Sequence, residues 1–201
     1  MKPALLLAVA FISLTTMARA DDRKANKTTA TNTKKEVEWI SFEEAEKRMQ
    51  KQPRKVWIDI YTGWCGWCKV LDKKVFANPE VAKYMNEKFY SIKFDAERQD
   101  SFVFTGMKWG FMPEYSANGL AVQLMGGQMS YPTSIMMTEG FENPTPIGGY
   151  KPVEQMEMFM KYVGDDIYKT VKFEDYMKDF KPTWKEIPEP VMPYANPQQG
   201  N

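Results

Sequence analysis

The chain contains no histidine and only two cysteines among its 201 residues. The first absence removes the side chain most used as a general base near neutral pH, and the commonest metal ligand with it. The second excludes a small scaffold stapled by several disulfides. An excess of one charge is missing too: 27 Lys and Arg stand against 26 Asp and Glu, a formal net charge of +1. Nothing in that balance draws the protein to nucleic acid or to an anionic membrane surface. No nucleic-acid partner is therefore expected.

The first twenty residues have the form of an export signal. Lys2 supplies a positive start, Ala4 to Leu14 an apolar core, and Ala18-Arg19-Ala20 a small-x-small cleavage site. The core is short of the roughly 20 residues that a spanning helix needs. The pattern predicts cleavage after Ala20 and a periplasmic or otherwise exported protein, with an uncleaved membrane anchor as the alternative. Losing Lys2 and Arg19 leaves the two charge signs balanced. The mature chain is of a size for one domain with a proper core.

The two cysteines sit three apart, in Trp64-Cys65-Gly66-Trp67-Cys68-Lys69. Before them Val56-Trp57-Ile58-Asp59-Ile60-Tyr61 reads as a buried strand, and after them Val70 to Phe76 reads as a helix. A pair at such a junction can close a small disulfide and open it again. As a staple it would close too short a loop for much entropic gain. Zinc is a poor fit, because it wants four ligands and no second pair or histidine exists. Fifteen methionines, Met156, Met158 and Met160 among them, read as adaptable core filler rather than copper ligands. No cofactor and no metal are expected beyond the redox-active pair itself.

Along the chain, Asp22 to Lys35 lacks an apolar period and reads as a flexible leader. Ser41 and Glu44 make a capping box for a helix with Phe42, Ala45 and Met49 on one face, stopped by Pro53. Asn78-Pro79 starts a further helix carrying Val81, Tyr84 and Met85. Phe89 to Phe94 alternates as a strand. Phe102 to Phe111, around Gly106-Met107, predicts a β-hairpin; a short helix over the same residues is the alternative. Ala117 to Met125 reads as helix, Ser134 to Met137 as strand, Glu139 to Thr145 as a turn, and Pro146 to Tyr150 as a short strand. Pro152 opens a helix with Val153, Met156, Phe159, Met160 and Val163 inside. Tyr168 to Phe180 predicts a last helix, and five prolines make Lys181 to Asn201 extended or disordered.

This order of elements, the Trp-Cys-Gly-Trp-Cys-Lys motif, Asp59 on the preceding strand and Tyr131-Pro132-Thr133 before a later strand resemble the thioredoxin superfamily, in particular its exported bacterial branch. The resemblance covers roughly residues 37–163. It implies an α/β thioredoxin fold, a central mixed β-sheet flanked by helices, with a β-hairpin insert around 98–116 and a Pro-rich C-terminal tail. The organisation expected is signal peptide 1–20, leader 21–36, thioredoxin-like domain 37–180 and tail 181–201. Departures are the Gly-Trp dipeptide between the cysteines, the insert, and the residues from Lys169 onward.

The resemblance implies a protein thiol–disulfide oxidoreductase. Cys65, at the head of the helix, would be the exposed nucleophile, since unpaired N–H groups there favour a thiolate. Cys68, shielded, would be the resolving thiol. Asp59 would sit beneath the disulfide as the proton acceptor for Cys68, its pKa raised by desolvation. Its neighbours Ile58 and Ile60 point to the other face of the strand. Trp64, Gly66, Trp67, Tyr131 and Pro132 would form the substrate-binding rim, Pro132 as a cis-proline that sets the Tyr131 backbone beside Cys65. The expected partners are protein thiols and disulfides, with a membrane electron donor or acceptor behind them. The reading leans to a reductase; an oxidase or isomerase, or a non-catalytic binding module on the same fold, are the alternatives.

Overall fold

A computed structural model describes residues 36–187. The segments read as signal peptide (1–20) and leader (21–36, apart from Glu36) lie outside the described residues, as does 188–201 of the tail. The elements run β1 (Trp39–Ile40), α1 (Phe42–Lys51), β2 (Lys55–Tyr61), α2 (Gly66–Leu71), α3 (Pro79–Lys88) and β3 (Phe89–Asp95). Then come β4 (Phe102–Phe104), β5 (Met107–Trp109), β6 (Phe111–Met112), β7 (Ala117–Asn118) and α4 (Gly119–Leu124). β8 (Thr133–Thr138), β9 (Glu142–Gly148), α5 (Val153–Gly164) and α6 (Phe173–Asp179) complete the order. Between α2 and α3 the helix widens into a π turn, Asp72–Phe76.

Five strands form one mixed sheet in the order β1-β3-β2-β8-β9. β2 is central, parallel to β3 and antiparallel to β8. It is buried over nearly its whole length because both of its faces are covered. Alternation along the strands sorts the core into two clusters. Val56, Ile58, Ile60, Tyr90, Ile92 and Phe94 pack with α1, α4 and the hairpin on one face. Trp57 and Phe89 pack with α2, the π turn, α3 and α5 on the other. The result is the helix–sheet–helix layering of a thioredoxin fold.

The local signals hold where they are strongest. Ser41 Oγ accepts the Glu44 N–H at 3.1 Å at the head of α1, and Asn78 Oδ1 accepts the Glu80 N–H at 2.9 Å at the head of α3. The insert is a hairpin, with its turn one residue earlier than Gly106-Met107: β4 and β5 pair antiparallel around Thr105-Gly106, and Met107 opens β5. Both turn residues have positive φ, as a tight two-residue turn demands. It folds back onto the sheet through Phe42, which stacks on Phe102 at 5.0 Å between ring centroids.

Four regions differ from the sequence reading. Ala117–Asn118, read as the start of a helix, is strand β7 paired antiparallel with Phe111–Met112, and α4 begins only at Gly119 behind the Asn118 cap. β9 begins at Glu142 rather than Pro146; it is an edge strand, where prolines at 144 and 146 cost no ladder bond that the sheet needs. The last predicted helix is a 3-10 turn, Ile167–Lys169, followed by α6 from Phe173. Residues 181–187 have no regular structure, but they are not a free tail. Trp184 is buried in the α3–α5 cluster, edge-on to Tyr84 at 5.2 Å. Its N–H and that of Thr183 donate to Glu157 Oε2 at 2.8 and 2.7 Å.

Candidate active site

The sheet register brings the two sequence motifs together. Ile60 pairs with Thr133, so the end of β2 and the start of β8 lie side by side. Cys65 comes after that end of β2 by one short turn, and Pro132 immediately precedes Thr133. The Tyr131–Pro132 peptide is cis. Pro132 O accepts the Gly149 N–H at 2.8 Å, which ties the end of β9 to the same loop.

Cys65 is the N-cap of α2. It is joined to Cys68 by a disulfide, with S–S 2.06 Å and Cα–Cα 5.3 Å. Cys65 Sγ also accepts the Cys68 N–H at 3.0 Å. A donor in this position can serve a thiolate as well, because charge strengthens such a contact. Cys65 is 4% exposed and Cys68 2%. The expectation of an exposed Cys65 beside a shielded Cys68 is corrected: in the disulfide form both are buried. Cys65 holds the capping position at the helix end.

The openness lies in the rim. Trp64 and Trp67 are 68% and 61% exposed. Trp64 meets Tyr131 edge-on at 5.8 Å and donates its indole N–H to Glu97 Oε1 at 2.8 Å. Trp67 lies against Tyr150 at 5.6 Å. Trp67, Tyr131, Gly149 and Tyr150 line an open cleft of about 360 Å³. Gly66 is exposed between the cysteines, with open space where a side chain would be.

Asp59 is fully buried. It points to the face of β2 that α2 covers, opposite Ile58 and Ile60. Lys93 is its register partner on β3, and the Lys93 ammonium approaches Oδ2 at 3.2 Å. That is an ion pair without hydrogen-bond alignment: neither Asp59 oxygen has a hydrogen-bond partner among the described residues. Burial pushes the Asp59 pKa up to about 6, Lys93 pulling the other way and Asp72 adding to the rise. The same ammonium also contacts Asp72 Oδ1, at the start of the π turn.

Lys93, Asp72, Tyr150 and Glu97 were not foreseen as site residues. Asp72 had a signal, since it lies four residues after Cys68 and so on the same helix face. Lys93 had half of one: the alternation of β3 puts it opposite Tyr90, Ile92 and Phe94. Its strand partner is a matter of long-range pairing. Among the described residues no three acidic or cysteine side chains converge as a metal site, and no helix is long and apolar enough to cross a membrane.

Human spermatogenesis-associated protein 20 is 27% identical over 64 residues, 31% of this chain but only 8% of that protein's length. The chain resembles a thioredoxin-fold protein from Helicobacter pylori with TM-score 0.52 and 15% identity, over 74% of this chain and 93% of the other. A DsbH oxidoreductase structure aligns with TM-score 0.47 and 10% identity, over 65% of this chain and 85% of that one. The family model Thioredox_DsbH, described as a protein of unknown function (DUF255), matches residues 24–191. Because that match runs from before β1 to beyond α6, the chain belongs to the thioredoxin-like Thioredox_DsbH family.

Proposed function

We propose that this chain is an exported thiol–disulfide oxidoreductase that exchanges disulfides with protein partners and works in the reducing direction. The observation that carries the reading is the Cys65–Cys68 disulfide at the head of α2, set between two exposed tryptophans and above a sheet face that holds a buried carboxylate. The signal-like pattern of residues 2–20 supports export.

In the reduced enzyme the Cys65 thiolate attacks one sulfur of a partner disulfide. That bond breaks, the leaving sulfur departs as a thiolate, and a mixed disulfide forms. Cys68 gives its proton to Asp59 and attacks Cys65 Sγ, releasing the partner's second sulfur. Two electrons pass from the enzyme dithiol to the partner. Asp59 suits the task because burial brings its proton affinity closer to that of a thiol than an ordinary aspartate's. Trp64, Trp67, Tyr131 and Tyr150 offer an aromatic surface for the partner chain around its disulfide.

The test has two parts. In Cys68→Ala the resolving step is lost, and mixed disulfides with envelope proteins are expected to accumulate at Cys65. A redox titration of the pair against glutathione decides direction: family potentials run from about −270 to about −120 mV, and a value at the oxidising end overturns the reductase reading. Absence of any trapped protein, with full function retained by the Cys65→Ser, Cys68→Ser double variant, makes the fold a binding scaffold instead.

A further inference from the structure

Three charged side chains from three elements meet on the α2 face of the sheet. Asp59 comes from β2, Lys93 from β3 and Asp72 from the turn after α2. One ammonium serves two carboxylates. Lys93 has little freedom to choose between them, because its ammonium lies over the rings of Trp39, Tyr61 and Phe76, 5.2, 5.2 and 5.6 Å from their centroids. The carboxylates differ in their access to water: the Asp59 side chain is 1% exposed and that of Asp72 43%. With both ionised, the trio carries one net negative charge, and only Asp59 bears its share shut off from water. Placing a proton on the buried member relieves that charge at least cost.

We propose that Asp72 is a positioning residue for the redox centre: by holding a share of the Lys93 ammonium, it weakens Lys93's grip on ionised Asp59 and so sets how strongly Asp59 holds the Cys68 proton. This rests on reading Cys65–Cys68 and Asp59 as a disulfide-exchange centre. The position of Asp72 suits the role. Its carbonyl accepts the Ala77 N–H at 2.9 Å within the π turn, and it lies four residues beyond Cys68, directly after α2. It therefore senses the helix that bears the resolving thiol while facing the carboxylate that serves it. The charged groups acting on Asp59 are Lys93 from β3 and Asp72 from the turn; that Cys68 hands its proton to Asp59 belongs to the exchange reading. Ser134 is its uncharged register partner on β8. Tyr61, on its own strand, feels Asp59, Lys93, Asp72 and Asp95. No other charged group is seen to act on Asp59 among the described residues.

A purely structural link, Asp72–Lys93 pinning the helix to the sheet, gives a different result from a tuning role. The full chain with carbon-13-labelled aspartate is titrated in its oxidised form, and the Asp59 carboxyl resonance is tracked by NMR. In Asp72→Asn the Asp59 midpoint is expected to fall by about one pH unit, the usual scale for one nearby charge. In Lys93→Gln it is expected to rise, and in Asp72→Glu to stay near the parent value. The acid limb of the disulfide-reduction rate should move with the midpoint in each variant and vanish in Asp59→Asn. An Asp59 midpoint unchanged or raised in Asp72→Asn overturns the proposal. A protein that reduces no disulfide, yet shows the downward shift, overturns the exchange reading and leaves the coupling of Asp72 to Asp59 supported.

Discussion

Asp59 couples stability to pH in a direction opposite to most carboxylates. Its folded pKa, about 6, lies above the ordinary value of 3.8. The folded state therefore holds the proton more tightly than the unfolded chain. The penalty is absent below the unfolded pKa, grows between about pH 4 and 6, and is full above about pH 6. At 1.36 kcal/mol per unit it amounts to about 3 kcal/mol at neutral pH. Asp59→Asn removes the ionisation while keeping the shape, so urea unfolding at about pH 8 is expected to show a gain of up to about 3 kcal/mol. The gain should shrink towards zero near the unfolded pKa. A variant no more stable than the parent in the alkaline range means that Asp59 remains an ordinary, solvated acid. A gain of the expected size instead marks Asp59 as a group held at a cost in stability, which the proposed exchange chemistry accounts for.

At the level of elements, the junction between α3, α5 and the 181–187 segment is closed by a buried carboxylate. Burial alone would raise the Glu157 pKa, but Lys161, Thr183 and the Thr183 and Trp184 N–H groups outweigh it and hold the carboxyl below its usual range. The Asn78 side-chain amide adds a bond to Lys185 O at 2.8 Å. Trp184→Ala leaves a cavity beside Tyr84 and is expected to cost about 3–5 kcal/mol in urea unfolding. If the segment were a loose tail the loss would be negligible. α5 also crosses α3 closely: a Cβ at Gly164 would come within 3.0 Å of Tyr84 Cζ. Gly164→Ala is expected to destabilise by about 1–3 kcal/mol through displacement of the ring. Much of this plan is legible in the sequence. The caps at Ser41 and Asn78, the alternation of β3 and the Gly106 turn are local signals, and local signals survive folding. Trp184 is not legible: one aromatic among prolines looks like tail, and only the distant Glu157 gives it a place. The start of β9 is hidden for a related reason, since an exposed edge strand needs no apolar alternation. Within the site, Cys65, Cys68 and Pro132 come from their motifs, and Asp59 from its apolar neighbours. Lys93 needs the β2–β3 register, which no short window contains.

For the molecule as a whole, the division of labour between sheet and rim decides what a partner can feel. The sulfur pair and the cis-Pro132 loop hang from β2 and β8, two of the most buried strands, so the reacting atoms are held by the core. Trp64 and Trp67 project outward and touch other aromatics rather than the core. Chemistry and recognition should then separate. On the proposed reading, a small disulfide such as oxidised glutathione needs only the sulfurs, while a protein disulfide arrives with flanking chain that lies on the aromatic rim. Replacing Trp64 and Trp67 together by alanine is expected to lower kcat/KM for a protein disulfide by about tenfold or more, equivalent to about 1.4 kcal/mol of lost contact. The rate with oxidised glutathione, run in the same direction of exchange, should change less than about threefold. Equal losses with both substrates would mean that the tryptophans act on the sulfurs themselves, by shielding them or shifting the thiolate, and that the partner is recognised elsewhere. A loss confined to the protein substrate identifies the rim as the surface that chooses partners, with Tyr131 and Tyr150 as the next positions to vary.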